Sequence, residues 1–540
     1  MKSRPNVILI LADDMGYSDL GCFGSEIDTP NIDSLANNGL RFSQMYNSAR
    51  CCPSRAALLT GLNPQQTGVG HMVTDMGLPA YQGYLNKNCA TIAEVLKKNG
   101  YTTLMSGKWH VGGSYNLLDK DTWHPGDNRH PTPTQRGFDQ FYGIVAGAAN
   151  FFHPRTLMDN DTLIEIDPPD FYLTDAISEN AVSMITKASS GDNPFFLHVA
   201  YTAPHWPLHA LEEDIAKYRG NYRDGWDSLR KNRHEEQRGM GIVDDKWDIS
   251  PRDASSRPWK EAEDKEWEDL RMAVYAAMID RMDQGIGKIL TKLKELDEDK
   301  NTVIMFLSDN GGCAEFLAED TNRPDPSQYS SATSDGRPMT VGNRKDIEPG
   351  PDTTFMSYDL AWANASNTPF RRFKRWTHEG GISTPFILNW PEKISRPSII
   401  TEATHIIDIA ATIYDAANAQ YPSELNGNAT KPLEGHSFMQ AIETNSWERK
   451  EPIYWEHEGS KAMRDGEWKL VSEVGHNWEF YNMLEDRTEL SNLVDGESDR
   501  VRKMLNSYKE WMERCEVQNW PLPGHLWNPE MISSYAHRSG

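Results

Sequence analysis

The run VILILADD, residues 7–14, sets the fold class. Val7–Ala12 has no polar position, so it offers no face to water and reads as a strand buried on both sides of a parallel sheet. It stops abruptly at Asp13-Asp14. In open α/β sheets, ligands gather beyond the carboxyl ends of strands. An Asx turn or a helix cap accounts for one aspartate at such a place. Two adjacent carboxylates repel each other unless a cation or donors lie between them, so the pair points to a site.

The pattern recurs. Tyr101–Met105 reads as a strand that delivers SGKWHVG at 106–112, PFFLHVA at 194–200 delivers YTAPHWP at 201–207, and Thr302–Leu307 delivers SDNGG at 308–312. Helical stretches separate them, at 29–44 (leading into a further strand), 90–99 and 175–188. The longest, 266–296, repeats Val274, Met278, Met282, Ile286, Ile289 and Leu293 at helical spacing, which is a core stripe. Strands alternating with helices predict an α/β fold: a large, mixed, mostly parallel sheet sandwiched by helices. If the strands share one sheet, Asp13, Asp14, Asp309 and Asn310 converge. Three carboxylates and an amide carbonyl suit a hard cation, calcium first and magnesium second, and the lack of imidazole or thiolate in the set disfavours zinc or copper.

Beyond residue 425 the texture changes. After a linker-like stretch at 426–435, short strands are expected at 452–456, 461–464, 467–471 and 479–481, with a terminal helix at 501–515. This predicts a catalytic domain over 1–425 and a smaller C-terminal α+β subdomain, built on an antiparallel sheet, over 426–540. Residues 210–265 read as charged surface helices and loops, and 313–366 as a polar insertion without periodicity.

The 540 residues carry a net charge of −24, which argues against general binding of nucleic acid or an anionic membrane. Six cysteines in this length make no disulfide framework. The apolar run near the N-terminus is too short for a signal peptide, and no stretch is long enough to span a bilayer. The chain as given reads as cytoplasmic, or as periplasmic or secreted if a leader has been trimmed.

The remaining signature is Cys51-Cys52-Pro53-Ser54-Arg55, continued by AALLTG to Gly61. Proline suits a first helical turn, and glycine suits the C-terminal cap. The helix start, rich in unpaired N–H groups, suits anions. Cys-x-Pro-Ser-Arg followed by a small-residue helix and Thr-Gly resembles the signature of type I sulfatases. The GKWHxG segment, His205 between prolines, Lys374 ahead of Gly380-Gly381 and the WEFYNMLEDRTELSNL segment resemble further motifs of that family, in the family's order. The spelling around Lys374, FKRWTHEGG, is poorer in glycine than is usual there.

The resemblance implies an alkaline-phosphatase-like fold and hydrolysis of a sulfate monoester. It implies that a maturation enzyme oxidises Cys51 to formylglycine, whose hydrate attacks sulfur beside a calcium ion. An all-oxygen cation site agrees, because a thiolate would be a mismatched ligand. Carried onto this sequence, Asp309 accepts the proton of the attacking hydroxyl, and His205 gives one to the leaving alcohol. Lys108 and Lys374 hold the sulfuryl oxygens, Arg55 supports the diol, and His110 takes the last proton. The bacterial arylsulfatase subgroup is the nearest in layout, and an O-sulfated carbohydrate is the expected substrate, with aryl sulfates also accepted. Trp123, His153, Trp206, His209, Trp362 and His378 are candidates to line the sugar side. The alternative is a phosphonate monoester or phosphodiester hydrolase of the same superfamily.

Overall fold

A computed structural model describes residues 4–116, 124–166, 170–317, 333 and 335–522. Its centre is an 11-stranded sheet. Seven strands form the middle: β1 (Asn6–Ala12), β2 (Leu40–Tyr46), β3 (Thr102–Gly107), β4 (Gln140–Ile144), β5 (Phe195–Ala200), β6 (Thr302–Ser308) and β7 (Ser383–Asn389). They lie in the spatial order β2, β7, β6, β1, β5, β3, β4. Leu157–Asp159 and Thr162–Leu163 extend the β4 edge, while Ser398–Ile400 and Thr404–His405 pair with β2.

The apolar run of β1 is explained by burial on both faces. Ile8, Ile10 and Ala12 join one core, and Val7, Leu9 and Leu11 join the other. Each fully buried Val, Leu or Ile is worth roughly 1.5–3 kcal/mol over exposure, so a polar residue on either face would be costly. The helix Lys265–Glu295 covers the first face through Val274, Met278, Met282, Ile286 and Ile289. The helices Cys51–Thr60 and Ile406–Ala417 cover the second.

β1 pairs in parallel with both β5 and β6, and β3 in parallel with β5, so four carboxyl ends open at one pole. β7 runs antiparallel to both of its neighbours, with Phe386 opposite Leu307 and Asn389 opposite Ile304. The start of β7 therefore lies at that same pole, and the segment 370–382 enters the sheet there. Gly107, which ends β3, has φ 123°, and a Cβ on it would lie 1.9 Å from the Ala200 carbonyl oxygen. Only glycine lets the chain pass so close before Lys108.

The C-terminal unit is a four-stranded antiparallel sheet over Ile453–His457, Ser460–Asp465, Trp468–Ser472 and Glu479–Asn482, with the helix Ser498–Cys515. Phe438, Ala441, Ile442 and Trp447 pack in the main core. A fully buried ion network joins the C-terminal unit to the main one. Lys469 lies 2.8 Å from both Glu379 and Glu489, and Arg487 lies 3.1 Å from Glu379.

Two expectations need correction. The 210–265 region is not all surface, because Arg233 is buried and pairs with Asp19 (2.6 Å) and Glu26 (2.8 Å). Within 313–366 the described residues include the helix Asp359–Ser366, which shows no apolar stripe because it is buried nearly all round. All six cysteines are free and buried. Among the described residues, no helix is long and apolar enough to cross a membrane.

Candidate active site

The pole gathers one residue set from five separate segments. Asp13 and Asp14 follow β1, Lys108 and His110 follow β3, His205 follows β5, Asp309 and Asn310 follow β6, and Lys374 precedes β7. The helix Cys51–Thr60 presents its first turn to them. Arg50 is its N-cap, and Gly61 closes it with φ 68° and a bond from its N–H to the Ala57 carbonyl.

Arg55 organises the acidic side. Its Nε donates to Asp309 Oδ2 at 3.0 Å, Nη1 donates to the Lys108 carbonyl at 3.0 Å, and Nη2 is ion-paired 2.8 Å from Asp309 Oδ2 and 3.4 Å from Asp13 Oδ1. The planar fork bridges three segments, which a lysine could not do. Lys108 Nζ donates to Asp13 Oδ2 at 2.5 Å, and Lys374 Nζ to Asp14 Oδ2 at 2.7 Å. His205 Nε2 lies 3.4 Å from Asp14 Oδ2 and 3.5 Å from Lys374 Nζ. Asn310 Nδ2 donates to Asp14 Oδ1 at 2.7 Å.

The electrostatics follow from crowding in a dry place. Burial, reinforced by Asp13, drives the Asp309 carboxyl well above its ordinary range, although Arg55 opposes the rise. Burial also acts on Asp13, but Lys108, His205 and Arg55 outweigh it and hold that carboxyl far down. Burial works against the Lys374 charge, yet Asp14 above all keeps the ammonium protonated. His205 is lowered by burial.

The oxygen cluster fits a hard cation. Asp13 Oδ1 and Asn310 Oδ1 are both buried and accept no hydrogen bond. Unsatisfied buried acceptors are costly, and a cation would satisfy both. Ligand atoms of Asp13, Asp14 and His205 lie within 4.8 Å of one another. His205 Nε2 also faces Lys374.

At position 51 the structure carries the unmodified thiol. A hydrogen bond from Cys52, with the charges of His110, Lys108 and Lys374 behind it, holds the Cys51 thiol well below its usual range despite burial. Cys52 Sγ lies 3.2 Å from His110 Nε2, and burial lowers His110 to about 4. Lys108 and His110, two apart in the chain, do not point the same way. His110 has φ 56°, which turns it toward Cys52 while Lys108 reaches Asp13. Asp14 (φ 65°) and Ala49 (φ 63°) are also left-handed, a strain that non-glycine residues hold only where their surroundings enforce it.

The six aromatic and histidine candidates separate. Trp206 stands at the site, with its ring 4.5 Å from that of His205. His209 is wholly buried, with Nε2 2.6 Å from the Thr354 carbonyl and Nδ1 accepting from the Phe151 N–H. Trp362 is likewise buried, donating to Glu268 and lying edge-on to Trp226. His378 is buried beside Glu479 of the C-terminal sheet, 3.6 Å away. His153 is half-buried and pairs with Asp352 at 3.4 Å. Trp123 lies outside the described residues. No motif marks Glu315 or the part played by Arg50, and the groups Glu315 meets, Arg50 and the Trp206 indole, are far away along the chain.

The model of the family described as Sulfatase matches residues 5–419, and that of the N-sulphoglucosamine sulphohydrolase C-terminal region matches 370–518. An uncharacterized sulfatase of Schizosaccharomyces pombe is 31% identical over 93% of this chain and 92% of its own. An arylsulfatase of Klebsiella aerogenes is 34% identical over 81% of this chain and 92% of its own. Among solved structures, Ps i-CgsB in complex with k-i-k-neocarrahexaose aligns with a TM-score of 0.65 at 26% identity, covering 94% of this chain and 93% of that one. The chain belongs to the sulfatase family, within the alkaline-phosphatase-like fold, and is a sulfuric ester hydrolase.

Proposed function

We propose that this sulfatase hydrolyses O-sulfate monoesters of a small saccharide, with aryl sulfates as accepted surrogates. Cys51 would act in it as formylglycine, and Asp13, Asp14, Asp309 and Asn310 would hold calcium, with magnesium as second choice. The observation that carries the reading is the convergence of that oxygen set with Lys108, Lys374, His205 and His110 around position 51. When bound, such a cation would withdraw charge from the sulfuryl group, and a hydrated formylglycine at 51 would supply the attacking oxygen. The carbohydrate preference draws on the oligosaccharide bound to Ps i-CgsB.

The chain's own groups divide the work. Asp309, raised by burial and held by Arg55, accepts the proton of the attacking hydroxyl. Lys108 and Lys374 exchange part of their contact with Asp13 and Asp14 for sulfuryl oxygens, where charge is managed as the S–O bond breaks. His205 Nε2 gives its proton to the leaving alcohol oxygen. His110, neutral through burial, accepts a proton at Nε2 in the step that releases sulfate.

The test is sulfate release from a panel of sulfated mono- and disaccharides, run beside phosphate monoesters and diesters. A preference for phosphodiesters would move the assignment to the phosphonate and phosphodiester branch. Mass spectrometry of active protein should find formylglycine at 51, and intact thiol in fully active protein would refute that part. Cys51→Ala should abolish turnover and leave the circular dichroism spectrum unchanged.

A further inference from the structure

Glu315 lies in the loop after Asp309-Asn310 and is almost fully buried. Its Oε1 is 3.1 Å from Nη2 of Arg50, the residue that caps the helix carrying position 51. Its Oε2 accepts from the indole Nε1 of Trp206 at 2.8 Å. Trp206 holds His205 in two ways. Its ring packs at 4.5 Å, tilted by 50°, and its backbone carbonyl lies 2.6 Å from His205 Nδ1. A carbonyl can only accept, so Nδ1 carries the proton and Nε2 is the atom left to face Asp14 and Lys374. One carboxylate therefore spans the residue before the nucleophile and the residue after the histidine.

We propose that Glu315 is a positioning residue for proton transfer to the leaving group: by anchoring the Trp206 indole it fixes the ring plane and tautomer of His205, with Nε2 aimed at the ester oxygen. The inference rests on the reading of His205 as proton donor. In the step concerned, His205 enters as the imidazolium, protonated at both nitrogens and charge-paired with Asp14; the S–O bond to the leaving oxygen breaks, the Nε2 proton passes to that oxygen, and the ring is left as the neutral Nδ1–H tautomer. Nδ1–H stays bonded to the Trp206 carbonyl throughout. A small misplacement of a reacting group can cost about 10²-fold in rate, so the anchor matters although Glu315 touches no substrate.

The experiment compares mature, calcium-loaded wild type with Glu315→Ala, Glu315→Gln, Trp206→Phe and His205→Ala. The substrates are aryl sulfates whose phenols range from acidic (4-nitrophenol) to weakly acidic (phenol). A phenol that leaves well needs no proton, whereas a poor one does. Glu315→Ala should lose about tenfold more kcat/KM on phenyl sulfate than on 4-nitrophenyl sulfate. Glu315→Gln keeps an oxygen for the indole and should keep the wild-type slope. Trp206→Phe keeps ring and carbonyl but loses the indole N–H, so it should steepen the slope even if Glu315→Ala fails to fold. Crystal structures of the variants should show the His205 ring rotated wherever the slope steepens. An unchanged slope in Glu315→Ala or Trp206→Phe, or a steepened one in Glu315→Gln, overturns the inference. A wild-type slope in His205→Ala overturns instead the role of His205 itself, so the two failures are distinguishable.

Discussion

Glu456 offers a measurement of what burial costs this fold. It lies on the first strand of the C-terminal sheet and is buried against the catalytic part. Oε2 accepts from Tyr81 Oη at 3.2 Å and Gln65 Nε2 at 3.3 Å, and Oε1 accepts from the Gly459 N–H at 3.0 Å. Those bonds do not offset desolvation, which raises the carboxyl from 4.5 to about 7. The sign follows by linkage. Between the unfolded value near 4.5 and the folded value near 7, the folded protein holds the extra proton, so stability falls as pH rises through that window and stays low above it. About 2.5 pKa units at 1.36 kcal/mol each give a penalty on the order of 3 kcal/mol at pH 8. Glu456→Gln removes the charge. Its oxygen can keep the Gly459 bond, and its new N–H₂ can donate to Tyr81 Oη and, after an amide flip, to Gln65 Oε1, which is now buried without a partner. For a chain this long, unfolding entropy makes 3 kcal/mol worth roughly 3 °C. Calorimetric scans of both proteins from pH 4 to 9 should show a difference in melting temperature that is flat below about 4.5, grows in favour of glutamine toward 7, and then levels. A difference independent of pH, or one that favours glutamate as pH rises, would refute the reasoning.

Other outcomes follow from the same geometry. Asp14→Asn should weaken calcium binding at least tenfold by titration calorimetry, since it removes a ligand charge that Asn310 and Lys374 both address. Lys374→Ala should lower kcat/KM for an aryl sulfate by about 10² or more while calcium binds no more weakly, which separates anion holding from cation holding. Lys469→Met leaves Glu379 and Glu489 without their shared partner in a dry interface. It should cost about 3–5 kcal/mol, seen as an earlier thermal transition.

The central sheet was legible because its strands are apolar on both faces, a pattern few other elements produce. The convergence of these oxygens was legible for a related reason: Asp13-Asp14 and Asp309-Asn310 stand where such strands end. What escaped was set by contacts distant along the chain. Arg233 looks like a surface charge until Asp19 and Glu26 arrive from more than two hundred residues away. Glu315 acquires meaning only through Trp206 and Arg50. For His209, Trp362 and His378, residue type fits both a sugar-lining face and a core, and composition cannot say which way a side chain points. The helix Asp359–Ser366 had no stripe to display because water meets little of it.

The reversed strand β7 has a use outside chemistry. Because it runs against its neighbours, its leading segment carries Lys374 to the reactive pole, and its trailing end lies beside the start of β6 at the opposite pole. The turn that follows, with Pro391, Glu392, Lys393, Ser395, Arg396 and Pro397 exposed, is thus a surface handle as far from the ester as the sheet is long. An affinity tag or a surface tether grafted between Lys393 and Pro397 would leave the reactive pole facing solution, so immobilised protein should keep its sulfatase activity.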